Sequence, residues 1–235
     1  MYFEKEKIRY SDIAPTGRAG LISLLNFFQN VATGHTSGTK YEMHKLYALQ
    51  RAWILISMNV EVYRYPEIDE EIIIYTYPQS YEKIYGTRCY KIESENGEVL
   101  AECSALWAFT DTEKRRVTKV FDDFGEIFHC IEDHNLPFLR KEPHMGDCEK
   151  VCDIKVGKRD IDTNLHVNNV KLVSFALEAL PIDAEIKKAE IYYRNSVFEG
   201  ENINVLSCME GDTVGVKLVG EGEEKARTTI KFYLK

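Results

Sequence analysis

The hydrophobic pattern changes period twice along the chain, in the same direction each time. After a polar entry at residues 11–16, Leu21, Leu24, Leu25, Phe28 and Val31 recur at helical spacing, which predicts one amphipathic helix of about three turns. Residues 35–50 are mixed. Stretches rich in β-formers follow at 52–65, 71–77, 85–93 and 99–110. Pro66-Glu67-Ile68-Asp69 reads as a turn after the first, and Asn96-Gly97 as a hairpin turn before the last. One helix followed by four antiparallel strands is a complete unit.

Residues 121–150 break this pattern. They hold three of the six histidines and two of the six prolines and read as a connector, partly helical. Then the first pattern returns. Val170, Val173, Ser174 and Leu177 share one side of a helix expected over 167–180. Strands are expected at 189–197, 202–209, 213–220 and 224–234, with turns at Gly211-Asp212 and Glu221-Gly222. Val60-Glu61-Val62-Tyr63 resembles Ala189-Glu190-Ile191-Tyr192, and Asp12 precedes the first helix much as Asp160 precedes the second. Such a repeat points to duplication of one helix-plus-sheet module. The expected fold is α+β, each copy a curved antiparallel sheet with the helix on its concave face. The expected boundaries are 1–125, a connector at 126–150, and 151–235.

Composition narrows the functional classes. Apolar residues make up 44% and charged residues 29% of 235, an ordinary globular composition. A net charge of −8 disfavours a nucleic-acid binder, which needs cationic surface to displace phosphate counterions. The N-terminal residues lack a basic start followed by an apolar stretch, and the longest apolar runs, such as Ile72-Ile73-Ile74, are too short to cross a bilayer. No signal peptide and no membrane segment are expected, and the cytoplasm is the expected compartment. The six cysteines include no C-x-x-C pair, so free thiols are expected.

One segment carries unusual chemistry: Arg159-Asp160-Ile161-Asp162-Thr163-Asn164-Leu165-His166-Val167-Asn168-Asn169. In an extended segment the alternate side chains of Asp162, Asn164 and His166 point the same way. A carboxylate, an amide and an imidazole would converge just before a helix. The free N–H groups and macrodipole there favour developing negative charge, such as an oxyanion formed from a carbonyl. N-capping of the helix explains one such polar residue, not five in eight.

The string Asp162-x-Asn164-x-His166-Val167-Asn168-Asn169-Val170-Lys171, followed by Leu177-Glu178-Ala179-Leu180-Pro181, resembles the active-site motif of acyl-acyl carrier protein thioesterases. These are plant plastid proteins with bacterial relatives, built as tandem hot-dog modules. Leu25-Asn26-Phe27-Phe28-Gln29-Asn30-Val31-Ala32, Ala52-Trp53, Val62-Tyr63-Arg64-Tyr65-Pro66 and Ser104-Ala105-Leu106-Trp107 extend the resemblance over most of the chain. It implies hydrolysis of a fatty acyl thioester of acyl carrier protein, with no metal or organic cofactor. Asp162, Asn164 and His166 would be the catalytic set. Asn164 would orient the thioester carbonyl, His166 would handle water or a proton, and Asp162 would position its partners. Acyl-coenzyme A hydrolysis and non-catalytic acyl-thioester binding are the alternatives.

The sequence departs from that family in one place. Plant members carry a segment resembling Tyr-Arg-Arg-Glu-Cys after the motif, whereas this chain reads Tyr193-Arg194-Asn195-Ser196-Val197. Ser196 falls on the Glu position and Val197 on the Cys position. Glu190 and Glu199 are the carboxylates left to substitute from elsewhere.

Other signals are weaker. Trp53 is a candidate substrate contact, with Ile54 and Met58, in an apolar pocket of the first module; Asn168 is a second candidate contact. Lys114-Arg115-Arg116, Lys158-Arg159 and Lys187-Lys188 are basic clusters where an acidic carrier protein could dock. His35, His44, His129, His134 and His144 show no metal-ligand spacing. There is no G-x-S-x-G elbow, phosphate loop or dinucleotide fingerprint. Two modules within one chain can pair with each other, so a monomer and a homodimer are both open.

Overall fold

The computed structural model describes residues 1–132 and 136–235; His134 lies outside them. The chain divides into two compact units, Met1–Phe138 and Leu139–Lys235. In the first, strand β1 (Tyr2–Lys7) leads through a 3-10 turn (Tyr10–Asp12) to helix α1 (Leu21–Thr36) and the short α2 (Met43–Ala48). Strands β2 (Arg51–Val62), β3 (Glu71–Glu82), β4 (Tyr85–Ser94) and β5 (Val99–Asp111) follow, then β6 (Arg116–Val117) and α3 (Phe124–Phe128). All pairings are antiparallel, in the order β1-β3-β4-β5-β2, with β6 on β5.

α1 buries Leu21, Leu24, Leu25, Phe28 and Val31, the stripe its periodicity predicts, and lies against β1 and β3. Phe28 meets Tyr90 of β4 at a ring separation of 5.2 Å. Each such side chain removed from water is worth roughly 1.5–3 kcal/mol, which holds the helix to the sheet. A second, aromatic core gathers Tyr41, Phe109, Phe124 and Phe128, with Trp53, Tyr81 and Phe121 packed against it.

The second unit repeats this plan. Strand β7 (Glu149–Lys155) leads through a 3-10 turn (Lys158–Asp160) to α4 (Asn169–Leu177) and strands β8 (Ile186–Tyr193), β9 (Asn202–Glu210), β10 (Thr213–Gly220) and β11 (Ala226–Leu234). The antiparallel order β7-β9-β10-β11-β8 matches β1-β3-β4-β5-β2 strand for strand. α4 buries Val170, Leu172, Val173, Phe175 and Ala176 and lies against β10 and β11.

The repeat extends to individual hydrogen bonds. Asp12 Oδ2 accepts the Arg9 N–H at 2.8 Å, and Asp160 Oδ2 accepts the Gly157 N–H at 2.9 Å. Phe198 N–H donates to Glu201 Oε2 at 3.0 Å, as Glu67 N–H does to Glu70 Oε2 at 2.9 Å. One detail differs from the sequence comparison. Tyr63 and Arg64 N–H both donate to the Leu100 carbonyl, whereas Arg194 and Asn195 N–H both donate to that of Arg227. Tyr63 is therefore the counterpart of Arg194, two residues beyond the Tyr192 that the sequence likeness pairs with it. A two-residue slip along a strand keeps every side chain on its own face, so the alternation cannot detect it.

Element ends differ from expectation where backbone hydrogen bonds go elsewhere. α4 starts at Asn169, not 167, because Val167 bridges to Ile161 and gives its N–H to the Val197 carbonyl at 2.8 Å. β8 stops at Tyr193 because the next two amides turn to Arg227. β1 and β7 carry too few apolar residues to show a period, and β7 begins within the expected connector.

Candidate active site

The polar segment before α4 is a closed hairpin turn rather than an extended run. Ile161 and Val167 bridge across it, Asp162 N–H donates to the His166 carbonyl at 2.8 Å, and Leu165 N–H donates to the Asp162 carbonyl at 3.1 Å. Asp162 turns its carboxylate inward. Oδ1 accepts the Asn164 N–H at 2.7 Å and, more distantly, the His166 N–H at 3.4 Å. This is an Asx-turn, a side chain doing the work of a backbone turn.

The turn, and not strand alternation, joins the Asp162 carboxylate to the Asn164 side chain and to the backbone of His166, while the His166 ring turns to Phe198. Asn164 stands exposed at the tip, its Nδ2 reaching Asp162 Oδ2 at 3.4 Å. The half-buried His166 ring sets its plane at 76° to that of Phe198, with centroids 4.9 Å apart. Asn168 is the N-cap of α4, its Oδ1 accepting the Val170 N–H at 2.8 Å. Its side-chain oxygen is therefore committed to the helix.

Trp53 lies in the first unit, within the aromatic core. Its ring stands 4.8 Å from Phe109, 5.7 Å from Phe124 and 5.9 Å from Tyr81. Ile54 is exposed and Met58 buried.

The loop after β8 supports the turn. Val197 is buried and accepts the Val167 N–H, while Ser196 is exposed and accepts the Arg227 Nη1–H at its carbonyl, 3.0 Å away. Arg227, with 14% of its side chain exposed, also holds Glu201 at 2.6 Å and Glu223 at 2.5 Å. Glu201 in turn takes the Phe198 N–H. Of the carboxylates considered as substitutes, Glu190 is engaged on β8 and β11 with Lys188 at 2.8 Å and Tyr233 Oη at 3.2 Å. Glu199 is exposed in the loop turn. Among the described residues no group of three or more His, Cys, Asp or Glu is arranged to hold a metal ion. All six cysteines are free.

The first unit contains the same turn with different side chains. Ile13 bridges Ala19, Ala14 N–H donates to the Arg18 carbonyl at 2.7 Å, Gly17 N–H to the Ala14 carbonyl at 2.9 Å, and Ala19 N–H to the Pro66 carbonyl at 2.9 Å. Ala14, Thr16 and Arg18 therefore stand where the second unit has Asp162, Asn164 and His166. Glu67 stands where it has Phe198. The backbone was built twice, and the carboxylate, amide and imidazole only once. Sequence reasoning missed Phe198 and Arg227; carrying the repeat past the helix into the loop after β8 would have shown the exchange at position 198.

A helix packed on a five-stranded antiparallel sheet, made twice in one chain, defines a tandem hot-dog protein of the α+β class. The chain belongs to the acyl-ACP thioesterase family: residues 1–128 match its N-terminal domain and residues 145–233 its C-terminal domain. It is 26% identical over 240 residues to oleoyl-acyl carrier protein thioesterase 1, chloroplastic, of Arabidopsis thaliana, covering 91% of this chain and 65% of that protein. The chain thus spans slightly under two thirds of that relative's length. Among solved structures, an acyl-ACP thioesterase from Bacteroides thetaiotaomicron superposes with a TM-score of 0.90 at 17% identity, over 99% of this chain and 97% of that one. The 12:0-ACP thioesterase from Umbellularia californica gives 0.86 at 17% identity, over 100% of this chain and 96% of that one.

Proposed function

We propose that this protein hydrolyses fatty acyl thioesters of acyl carrier protein, releasing free fatty acid and ending chain elongation. The observation that carries the reading is the exchange between the two copies of the turn. Asp162, Asn164 and His166 sit in the family's C-terminal domain on a backbone that the other copy builds without them.

In this reading Asn164, at the exposed tip, orients the thioester carbonyl. His166 takes a proton from water as the water oxygen attacks the carbonyl carbon. Negative charge gathers on the carbonyl oxygen, where the first turn of α4 supplies N–H groups and the positive end of its dipole. The carbon–sulfur bond then breaks, and the departing thiolate takes the proton back from His166. Asp162 holds the turn that carries both partners. Asn168 and Trp53 are proposed substrate contacts, the latter for the acyl chain in the first unit. The cytoplasm is the proposed compartment; among the described residues no helix is long and apolar enough to cross a membrane.

Ser196 at the usual Glu position favours a second reading, acyl-thioester binding without turnover. Incubation with a panel of acyl carrier protein thioesters of varied chain length separates the two, with the same chains on coenzyme A testing carrier dependence. Release of fatty acid, faster from carrier protein, is expected; unaltered thioester after long incubation leaves the binding reading.

A further inference from the structure

Leu165 flanks His166 in sequence and Phe198 meets its imidazole in space, and both apolar residues occur only in the copy that carries the polar set. Leu165 precedes His166 and is 76% exposed; Phe198, 45% exposed, meets its ring. Their counterparts in the first unit are Gly17 and Glu67. Leu165 also holds a left-handed backbone, φ 63°, at the position where the first unit uses glycine at φ 80°. A Cβ at Gly17 would meet nothing within 4 Å, so glycine suits that turn through its backbone freedom and not for lack of room. The second unit thus keeps an exposed leucine in a conformation that a branched side chain adopts only at a cost. Nothing in the turn's own hydrogen bonds requires a side chain there. Strain and exposure together point to a side chain whose partner arrives with the substrate.

We infer that Leu165 and Phe198 form an apolar wall beside His166, which packs on the stem of the bound acyl thioester and fixes the imidazole plane. This rests on the proposed hydrolysis and adds to it the residues that receive the reacting group. The edge-to-face contact limits rotation of the ring, and Glu201 and Arg227 hold Phe198 from behind through the 3.0 Å bond to its N–H. Phe198 is a positioning residue in this scheme and Leu165 a binding residue.

The test uses the full chain and four variants. Leu165→Gly and Leu165→Asn both relieve the left-handed strain, and the second keeps side-chain bulk but not apolarity. Both are expected to raise the thermal midpoint while raising KM about tenfold. A raised midpoint with unchanged KM overturns the role of Leu165. Phe198→Ala is expected to lower kcat about tenfold or more with little change in KM, and Phe198→Tyr to restore it. Independently of activity, the His166 ring proton resonances lose the ring-current shift of the neighbouring phenyl group in Phe198→Ala and keep it in Phe198→Tyr. Resonances that do not move, or a Phe198→Ala enzyme with unaltered kcat, overturn the positioning role. If the parent protein releases no fatty acid, the hydrolysis reading fails. The wall is then read from binding of a non-hydrolysable 2-oxoalkyl thioether of the carrier, which Leu165→Gly weakens if the wall is real and leaves unchanged if it is not.

Discussion

The Asp162 carboxylate accepts the Asn164 backbone N–H at 2.7 Å, so the first residue of the polar set holds the second in place. A carboxylate in this position can act through its geometry or through its charge, and two substitutions separate these. Asparagine keeps an acceptor oxygen and so keeps the turn. Alanine leaves the Asn164 and His166 amides without that acceptor. Asp162→Ala is expected to destabilise the protein by about 1–2 kcal/mol, whereas Asp162→Asn remains near the parent in thermal unfolding. If the charge also serves the chemistry, Asp162→Asn loses turnover at unchanged stability. If the two variants unfold alike, the Asx-turn does not hold the loop.

His166 should behave in the opposite way. It is half-buried and its ring contributes one aromatic contact, so removal leaves the fold intact. As the proposed proton-transfer group, it is expected to carry roughly 10²–10⁴ in kcat. His166→Ala should therefore unfold within a few degrees of the parent and release almost no fatty acid. Normal turnover by this variant would reject the site.

The sequence revealed those parts of the fold in which burial writes a period. α1 and β3 to β5 lie close to their expected places because each buries a regular set of apolar side chains. β1 and β7 are edge strands, and charged residues dominate both; backbone pairing to β3 and β9 defines them, and backbone pairing leaves no mark on side-chain type. Within the site, Asp162, Asn164 and His166 were legible because five polar residues in eight exceed the needs of a helix cap. The turn that gathers them was not, since a leucine gives no sign of a left-handed φ. Phe198 and Arg227 were hidden because they lie 32 and 61 positions beyond His166, and only the strand order brings them back.

Ser196 offers a gain-of-function test. Its side chain is exposed and its carbonyl is fixed by Arg227, so a longer side chain can be accommodated without repacking. Ser196→Glu restores the carboxylate usual in the family on the loop that contacts His166. If a general base is what the parent lacks, kcat should rise, on the order of tenfold, and do so only above the carboxylate's titration. A variant no faster than the parent at any pH shows that His166 and its turn suffice.

Arg227 joins three segments: the Ser196 carbonyl, Glu201 and Glu223. Removing it leaves two carboxylates without their cation and frees the loop that carries Val197 and Phe198. Arg227→Met is expected to cost roughly 2–3 kcal/mol and to lower kcat as well. Arg227→Lys restores charge but not the forked geometry and should recover only part of either. Full recovery by lysine would show that charge alone, not the shared guanidinium, holds the loop.

His35, in the final turn of α1, accepts the Arg88 Nη1–H at Nδ1, 3.0 Å away, and its ring stacks on Tyr2 at 5.3 Å. Burial first, and the Arg88 charge second, lower its pKa from 6.5 to about 4. The folded protein therefore resists a proton that the unfolded chain accepts. Between those two values the unfolded state binds more protons, so stability falls as pH drops from about 6.5 towards 4 and is fully present above that window. Carboxylates paired in the folded state, such as Glu70 beside Arg64, lose their contribution only at lower pH, through their own lowered pKa values. The window above pH 4.5 therefore isolates the histidine. His35→Gln supplies an acceptor oxygen that does not titrate there. Its thermal midpoint should change less than the parent's between pH 7 and 4.5, with the two proteins diverging most at the acid end. Parallel curves over that range would show that His35 titrates alike in the folded and unfolded states.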